Sequence, residues 1–503
     1  MAYIFGDGFD LYATYTDAYP TYWDSDPVGG GFIFVAGRFA GSQAAQLNGN
    51  SATTGWLLKS SGANDAVHHI TVAIDQLGTV SGTNLGQWFT FYDGANAQCS
   101  IFFRSDGAIL LTSGAANGTT LATYTGAITA QNTWYAFEME VVINNTTGSF
   151  TVRKNGNTSN DFTIGSLNTR AGSTNNYANR IAIGTNWNAG HNIDDLLWRS
   201  DASSVPWVGD VRCYTRMPAS DASIHWSRAG NSPVTPFGNS NFRGLSAGTA
   251  YYTPFVAACD GQISTVNLTF NSGYTGNLKG AIFAASGPFI QGGSGGVPTT
   301  VLSPTATVSN PATGTVALTF SPPVTVTKGT TYFVGIDSDT SSGSTTAGNN
   351  SPSCGYSAGL AYASFPAANP TGLGGWPTMC ITAIIAFTAN YQAVSENQQD
   401  GATSYVYDNN VGDADLYGIS SISGTPSSIV AVTTRGYFEK SDAGTRNAAV
   451  QIKSGTTTVN SGSAALNTTW GWMYRTDTTD PNTGSAWTAT AVNSAQIGPI
   501  VTA

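Results

Sequence analysis

The sequence predicts an all-β protein made of several antiparallel β-sandwiches. Three observations predict it. Short runs rich in Val, Ile, Thr, Tyr and Phe recur, with turn residues separating them about every ten positions. The chain carries 59 Gly, 22 Tyr, 23 Phe and 12 Trp in 503 residues, the make-up of tight turns and half-buried strands. No segment sustains an apolar repeat of 3.6 residues between helix caps.

Composition also limits function. Charged residues make up 10% of the chain, against about a quarter in an ordinary domain. Apolar residues reach 41%, which sets the chain apart from disordered sequences. The net charge is −10, and the 19 Lys and Arg form no basic run. Phosphate neutralisation needs clustered cations, so no nucleic-acid partner is expected. The longest apolar run, CITAIIAF (380–387), is too short to span a bilayer, so no membrane insertion is expected. The run MAYIFGDGFDLYATYTD lacks a basic segment followed by an apolar core, so synthesis in a cytosol without a secretory signal is expected. The five cysteines, Cys99, Cys213, Cys259, Cys354 and Cys380, show no C-x-x-C spacing. An odd number without a signal reads as buried free thiols, with a Cys354–Cys380 bridge as the alternative.

The elements follow in order. Residues 1–30 open a β domain with one or two short strands around Gly and Asp turns. Strands are then predicted at GFIFVAGRF, at HHITVAIDQL with alternating apolar and polar residues, and at LGQWFTFYDG. Two hairpins follow. SDG (105–107) joins SIFFR to AILLT, and NNTTGS (144–149) joins AFEMEVVI to FTVRKNG. The segment VGDVRCYTRM (208–217) reads as a strand that stops at a Ser/Pro/Gly/Asn run. Its continuation is expected at NYQAVSENQQDGATSYVYDN, from Asn390. Between them lie AYYTPFVAACDGQISTVNLTF, two strands around an Asp-Gly turn, then NLKGAIFAA, TVALTFSPPVTVTKGTTYFVGIDSD and MCITAIIAFTA. A long loop is expected over 337–376. SSIVAVTTRGYFEKSD, NAAVQIKSGTTTVNSG, WGWMYRTDT and SAWTATAVNSAQIGPIVT are the last predicted strands. The expected domains are a jelly roll over 1–205, a split sandwich from 206–230 and 390–503, and an inserted sandwich over 231–389.

Residues 5–200 resemble the concanavalin A-like, or laminin-G-like, jelly roll. The resemblance rests on Trp134 with FEMEVVINNTTGSFTVRKNG, on RIAIGTN (180–186) and on HNIDDLLWRSD (191–201), whose IDDL element is expected to close the sandwich. TVTKGTTYFVGIDS (325–338) resembles the penultimate hairpin of small carbohydrate-binding or adhesin-like sandwiches. A third resemblance joins DGFDLYATYTDAYPTYW, GDVRCYTRMPA, NYQAVSENQQDGATSYVYDNNVGDADLYGIS, DAGTRNAAVQIKSGTTTVNSG and TDPNTGSAWTATAVNSAQIGPIV. These pieces are similar to tailed-bacteriophage virion structural proteins, in which the GDVR and NYQ segments lie close together in sequence. That resemblance implies a capsid- or tail-attached appendage. It also implies virion proteins as partners, a homo-oligomer (a trimer first) and a host surface glycan as a surface it would touch.

Several constellations could carry chemistry, and each also has a structural reading. His68 and His69 are adjacent on a strand and point to opposite faces, so they cannot share one metal ion. His191 and His225 lie far away in sequence. Asp194 and Asp195 in NIDDLLW read either as a Ca²⁺ or sugar-binding pair, or as a strand-edge Asp bonding a loop beside an exposed neighbour. The acidic VGDADLY (411–417) is a similar case. Glu138 and Glu140 lie two apart on a strand, about 6–7 Å by strand rise, a spacing glycoside hydrolysis could use. The same spacing occurs on any solvated strand face, and no E-x-D-x-x-E-like run is present. Trp470, Trp472 and Tyr474 would share a face as a sugar platform or as core. No nucleophile elbow or phosphate loop is present. The expectation is a non-enzymatic virion component with no catalytic residues, no metal and no cofactor. The alternatives are a carbohydrate-active depolymerase or a secreted lectin.

Overall fold

The structure is a computed structural model. It describes residues 3–12, 14–18, 22–24, 32–47, 57–77, 86–185, 190–230, 232–234, 241–257, 260–272, 275–288, 296–341, 344–347, 355–376, 381–396, 398–422 and 424–503. The protein is all-β, with several antiparallel sheets. Two compact units divide it. The first comprises Met1–His225, Glu396–Asp400 and Asn409–Ala503; the second comprises Trp226–Ser395 and Gly401–Asp408. The unit boundary thus falls at Trp226 and Ser395, and the residues before 206 share a unit with the C-terminal strands.

Fourteen strands make the N-terminal sandwich. They are β1 (Tyr3–Asp7), β2 (Phe32–Ala36), β3 (Gln43–Leu47), β4 (Leu57–Asp65), β5 (Val67–Gln76), β6 (Gly86–Asp93), β7 (Asn96–Arg104), β8 (Ile109–Ser113), β9 (Thr120–Tyr124), β10 (Trp134–Val142), β11 (Gly148–Lys154), β12 (Phe162–Leu167), β13 (Ala178–Thr185) and β14 (His191–Asp201). One sheet runs β12-β11-β10-β5-β14-β3-β2, with β1 also on β14; the other runs β4-β13-β6-β7-β8-β9. Both predicted hairpins form, with Phe103 opposite Ile109 in one and Val142 opposite Ser149 in the other. The inward faces meet in one core that includes Phe89, Phe91, Phe103, Phe137, Met139, Val152 and Trp198. Each such side chain contributes about 1.5–3 kcal/mol by leaving water.

HHITVAIDQL, read as alternating apolar and polar residues, forms β5, which is buried at every position. It is a central strand, and both of its faces are covered. β14, which carries the IDDL element, lies between β5 and β3.

The predicted strand at 208–217 is also overturned. Residues 205–217 form no strand, and a strand begins only at Pro218–Ser223. That strand pairs with Leu416–Ile419. It joins a sheet that continues through Gln496–Val501, Asn447–Ser454 and Thr457–Asn460. A separate pair, Val432–Phe438 with Gly471–Asp477, belongs to the same unit. SAWTATAVNSAQIGPIVT is not one strand. Thr488 caps a short helix, Ala489–Ser494, by accepting from the Ala491 N–H, and a strand follows at Gln496–Val501.

In the second unit, two sheets enclose a core around Phe255, Phe270, Ile282, Leu318 and Ile336. Thr249–Val256 and Gly261–Ser272, on either side of the Asp-Gly turn, sit in opposite sheets. The Lys-Gly turn behaves likewise: Gly314–Val326 and Thr331–Ser338 are in opposite sheets, so the expected hairpin is not one. The expected long loop carries strands Ser344–Ala347, Gly355–Gly359 and Gly374–Trp376 and a turn of 3-10 helix, Tyr362–Ser364. No helix among the described residues is long and apolar enough to cross a membrane. Cys99 and Cys213 are free thiols. Cys259, Cys354 and Cys380 lie outside the described residues.

Candidate functional site

Residues 206–216 form a strap over the outward face of the sheet that contains β5, β10 and β14. Phe137, Met139 and Val141 of β10 point into the core, so Glu138 and Glu140 point outward. That face is not solvated at Glu138, which is only 2% exposed. Glu138 accepts hydrogen bonds from Arg199 Nη2 (2.7 Å), Val208 N (2.9 Å) and Gly209 N (2.7 Å). Arg199 also donates to the Pro206 carbonyl at 2.6 Å. His69 lies between the two glutamates, with Nε2 at 2.9 Å from Glu140 and Nδ1 at 3.5 Å from Glu138. Trp207 caps the group, its ring 4.6 Å from His69 and under the Arg153 guanidinium at 4.0 Å. Burial alone would push the Glu138 carboxyl up. His69, the Val208 and Gly209 N–H groups and the Arg199 charge together hold it below the usual carboxylate range. Both glutamates, whose spacing glycoside hydrolysis could use, are therefore engaged as acceptors.

The other end of the strap meets Asp194 and Asp195. Neighbouring side chains on a strand ordinarily diverge. A bulge between Asp194 and Leu197, with a φ of +52° at Asp195, breaks that alternation. Both carboxylates then reach the Arg38 loop, and both are buried, contrary to the strand-edge reading. Asp194 Oδ2 accepts from Arg38 N at 2.8 Å and Ser42 Oγ at 3.3 Å, and its Oδ1 accepts from Asp195 N at 2.7 Å. Asp195 Oδ1 accepts from Cys213 N of the strap at 2.7 Å. Its Oδ2 has no hydrogen bond and lies 3.7 Å from Arg38 Nη1. Arg38 is turned chiefly to Asp210, on the strap, through two bonds of 2.5 and 2.6 Å. Asp10, also close, is filled by Gln43 N and Thr215 Oγ1. Burial, with repulsion from Asp10, pushes Asp194 up to about 6, and burial, with repulsion from Asp194, pushes Asp195 up to about 7.

A metal ion would need oxygens that protein donors do not already fill. Among the described residues, no group of three or more His, Cys, Asp or Glu is arranged to hold one. His68 faces the core, accepting at Nδ1 from Trp198 Nε1 (3.3 Å) and donating from Nε2 to the Asp65 carbonyl (2.9 Å). Burial lowers its pKa to about 4, so it stays neutral. In VGDADLY, Asp415 is fully buried and accepts from His225 N at 2.7 Å and Tyr417 Oη at 2.5 Å.

Trp470, Trp472 and Tyr474 form neither a free platform nor the core of their own sheet. Trp472 and Tyr474 pack against the N-terminal sandwich. Trp472 Nε1 donates to the Asp17 carbonyl at 2.7 Å, and Tyr474 meets Tyr22 edge-on at 5.1 Å. Trp470 stacks on Tyr437. Beside them, Arg435 donates to Tyr12 Oη (3.2 Å) and the Gly6 carbonyl (2.9 Å), lies 3.3 Å over the Tyr22 ring and faces Asp7 at 3.6 Å. Asp7 is the node of this joint. It accepts from Phe9 N, Tyr12 Oη and Trp23 Nε1 at 2.7–3.0 Å. Gly8 is required here, because a Cβ would stand 2.7 Å from Cys213 Cβ. The sequence offered the aromatic triplet, but nothing in it signalled Arg435 or Asp7 as partners more than 400 residues apart.

No family model matches the sequence, and no curated protein matches it. Several solved structures are similar to part of the chain. One is a conserved carbohydrate esterase, vb_24B_21, of the Shiga toxin-encoding bacteriophage phi24B, at 18% identity, covering 34% of this chain and 88% of that one, with a TM-score of 0.25. Another is arcelin-5, a lectin-like defence protein of Phaseolus vulgaris, at 7% identity, 40% and 100% coverage and a TM-score of 0.25. A third is the VIP36 exoplasmic/lumenal domain in its Ca²⁺- and mannose-bound form, at 12% identity, 40% and 92% coverage and a TM-score of 0.25. Likeness at such scores carries no argument about activity, and the all-β description rests on the strands themselves.

Proposed function

We propose that the chain is a non-enzymatic structural component of a tailed-phage particle, attached to the capsid or tail as a homo-oligomer, a trimer first, and touching host surface glycans. One observation carries the non-enzymatic part. The carboxylates that could have served hydrolysis, Glu138, Glu140, Asp194 and Asp195, are tied to protein partners, and two of them hold the 206–216 strap. The appendage setting rests on the sequence resemblance. The second unit is carried as an insertion in this reading. In support, Asn390 Nδ2 donates to the Trp226 carbonyl at 2.7 Å, so the chain enters and leaves that unit at neighbouring points.

Mass spectrometry of purified particles tests the setting: the chain should be present in a fixed ratio to the major capsid protein. Its absence from the particles overturns the reading. Incubating the purified chain with host polysaccharide tests the rest. Retention without new reducing ends is expected, and release of reducing ends that Glu138→Gln abolishes would make it an enzyme. Native mass spectrometry reads the oligomer.

A further inference from the structure

The outer side of the 206–216 strap carries a stack of cations and rings. Successive side chains at its end alternate in direction. Cys213 and Thr215 turn to the sandwich, where Cys213 lies against Gly8 and Thr215 Oγ1 donates to Asp10 at 2.8 Å. Arg212, Tyr214 and Arg216 lie on the other side. The Arg212 guanidinium stands 3.8 Å from the centre of the Phe39 ring and 4.4 Å from that of Tyr214, and the Arg216 guanidinium stands 5.2 Å from the Tyr214 ring. Arg38, at 5.1 Å from the Phe39 ring, extends the series. Guanidinium groups and aromatic rings therefore alternate along the strap, each pair held by the attraction of a cation for a ring face.

These cations are not equally engaged. Arg38 donates to both oxygens of Asp210. Arg212 is exposed, and among the described residues no hydrogen bond or ion pair engages its guanidinium. Asp10 is within electrostatic reach of Arg212 and Arg216, but its oxygens are filled by Gln43 N at 2.7 Å and by Thr215 Oγ1. Burial first, and repulsion from Arg212 second, lowers the Arg216 pKa, so the two cations feel each other's charge. The rings cover the faces of the Arg212 guanidinium and leave its edge, where the N–H donors lie. Those donors form a planar fork that matches a carboxylate. Stacking already restricts the side chain, so less freedom is lost when an anion docks on it.

We propose that the exposed edge of Arg212, backed by Phe39, Tyr214 and Arg216, binds the carboxylate of an acidic sugar in a host surface polysaccharide. The choice of a sugar rests on the glycan reading above, whereas the choice of an anion rests on the two arginines. The carboxylate accepts a bidentate pair of hydrogen bonds from Arg212, and Arg216 adds charge nearby. The chain is acidic as a whole, with a net charge of −10 and only 19 Lys and Arg. It therefore repels an anionic polymer at large, and contact is confined to a local cationic pair such as this one. The contact is at the surface, so it weakens as salt is added.

The test uses the full chain with tetragalacturonate as the probe. Its methyl ester, the same sugars without the charge, is the control. Both are read by calorimetry and by the arginine side-chain N–H resonances in NMR. Tetragalacturonate should bind with a Kd of about 1 mM at low salt and shift the Arg212 resonance, and the ester should not bind. Arg212→Gln should weaken binding about tenfold or more at an unchanged melting temperature. Arg212→Lys should not restore it, because an ammonium has the charge without the fork. Absence of binding, equal binding of the ester or equal binding by Arg212→Gln overturns the site. Inorganic phosphate that binds as tightly as the uronate overturns the sugar carboxylate in favour of any oxyanion. Retention of both the wild type and Arg212→Gln on host polysaccharide overturns the site while leaving the glycan reading intact. Failure of the wild type to be retained on any host polysaccharide removes that reading and this ligand with it.

Discussion

Glu138 and Asp195 both accept backbone N–H groups of the 206–216 strap, at 2.7–2.9 Å, yet their electrostatic surroundings are opposite. Glu138 has Arg199 at 2.7 Å, His69 at 3.5 Å and two strap amides, and its pKa is lowered. Asp195 has one amide, a guanidinium at 3.7 Å that is mainly committed to Asp210, and Asp194 as a like-charged neighbour, and its pKa is raised. The same backbone contact is thus firmly held at one end of the strap and strained electrostatically at the other. Burial is comparable, so the number and sign of the neighbours decide the difference.

The largest effect should come from Glu138→Ala. It leaves Arg199 buried without its carboxylate, which typically costs about 3–5 kcal/mol. The urea midpoint should fall accordingly, and the amides of Val208 and Gly209 should exchange faster. A loss below about 1 kcal/mol would show that the strap is not held at this end. The Glu138 contribution should be present above the unfolded-state pKa of about 4.3 and be lost as pH falls below it.

Asp195→Asn should act in the opposite direction. Asn keeps the acceptor for Cys213 N and tolerates the left-handed φ. The wild-type carboxyl binds its proton more tightly folded than unfolded. Its contribution therefore falls as pH rises from about 4 to about 7, by at most about 1.4 kcal/mol per pH unit. The variant lacks that loss. It should match the wild type near pH 4 and be more stable at pH 8 by roughly 1–3 kcal/mol, read from urea midpoints across pH. A variant less stable at pH 8 would mean that attraction to Arg38 outweighs burial and repulsion.

The two ends of the strap also differ in how legible they were. Alternation on β10 correctly placed Glu138 and Glu140 on one face, as it placed His68 and His69 on opposite faces. It could not say what covers that face, because the cover is the strap. PWVGDVRCYTRM has the pattern of a strand, but its amides bond side chains of another sheet instead of a neighbouring strand. Local pattern does not distinguish those two fates. At Asp195 alternation itself failed, because the bulge defies a period of two and no residue in NIDDLLW marks it. The hairpins at 105–107 and 144–149 were readable since their partners are local. The Asp7–Arg435 joint was not, since nothing in sequence links groups that far apart.

Trp207→Ala should have the smallest effect and sharpens the comparison most directly. Trp207 is half-buried and accepts the Arg153 cation on its ring at 4.0 Å, beside His69 at 4.6 Å. An exposed to partly desolvated contact of this kind contributes about 0.5–2 kcal/mol. Its removal opens the Glu138 end to water without touching the Asp195 end. Amide exchange should therefore quicken at Val208 and Gly209 and stay unchanged at Cys213. Equal quickening at all three would mean that the strap opens as one cooperative piece, so that the firm end also secures the strained one. Quickening at the first two alone makes the ends independent, and the raised pKa of Asp195 is then borne locally by the bulge and Arg38.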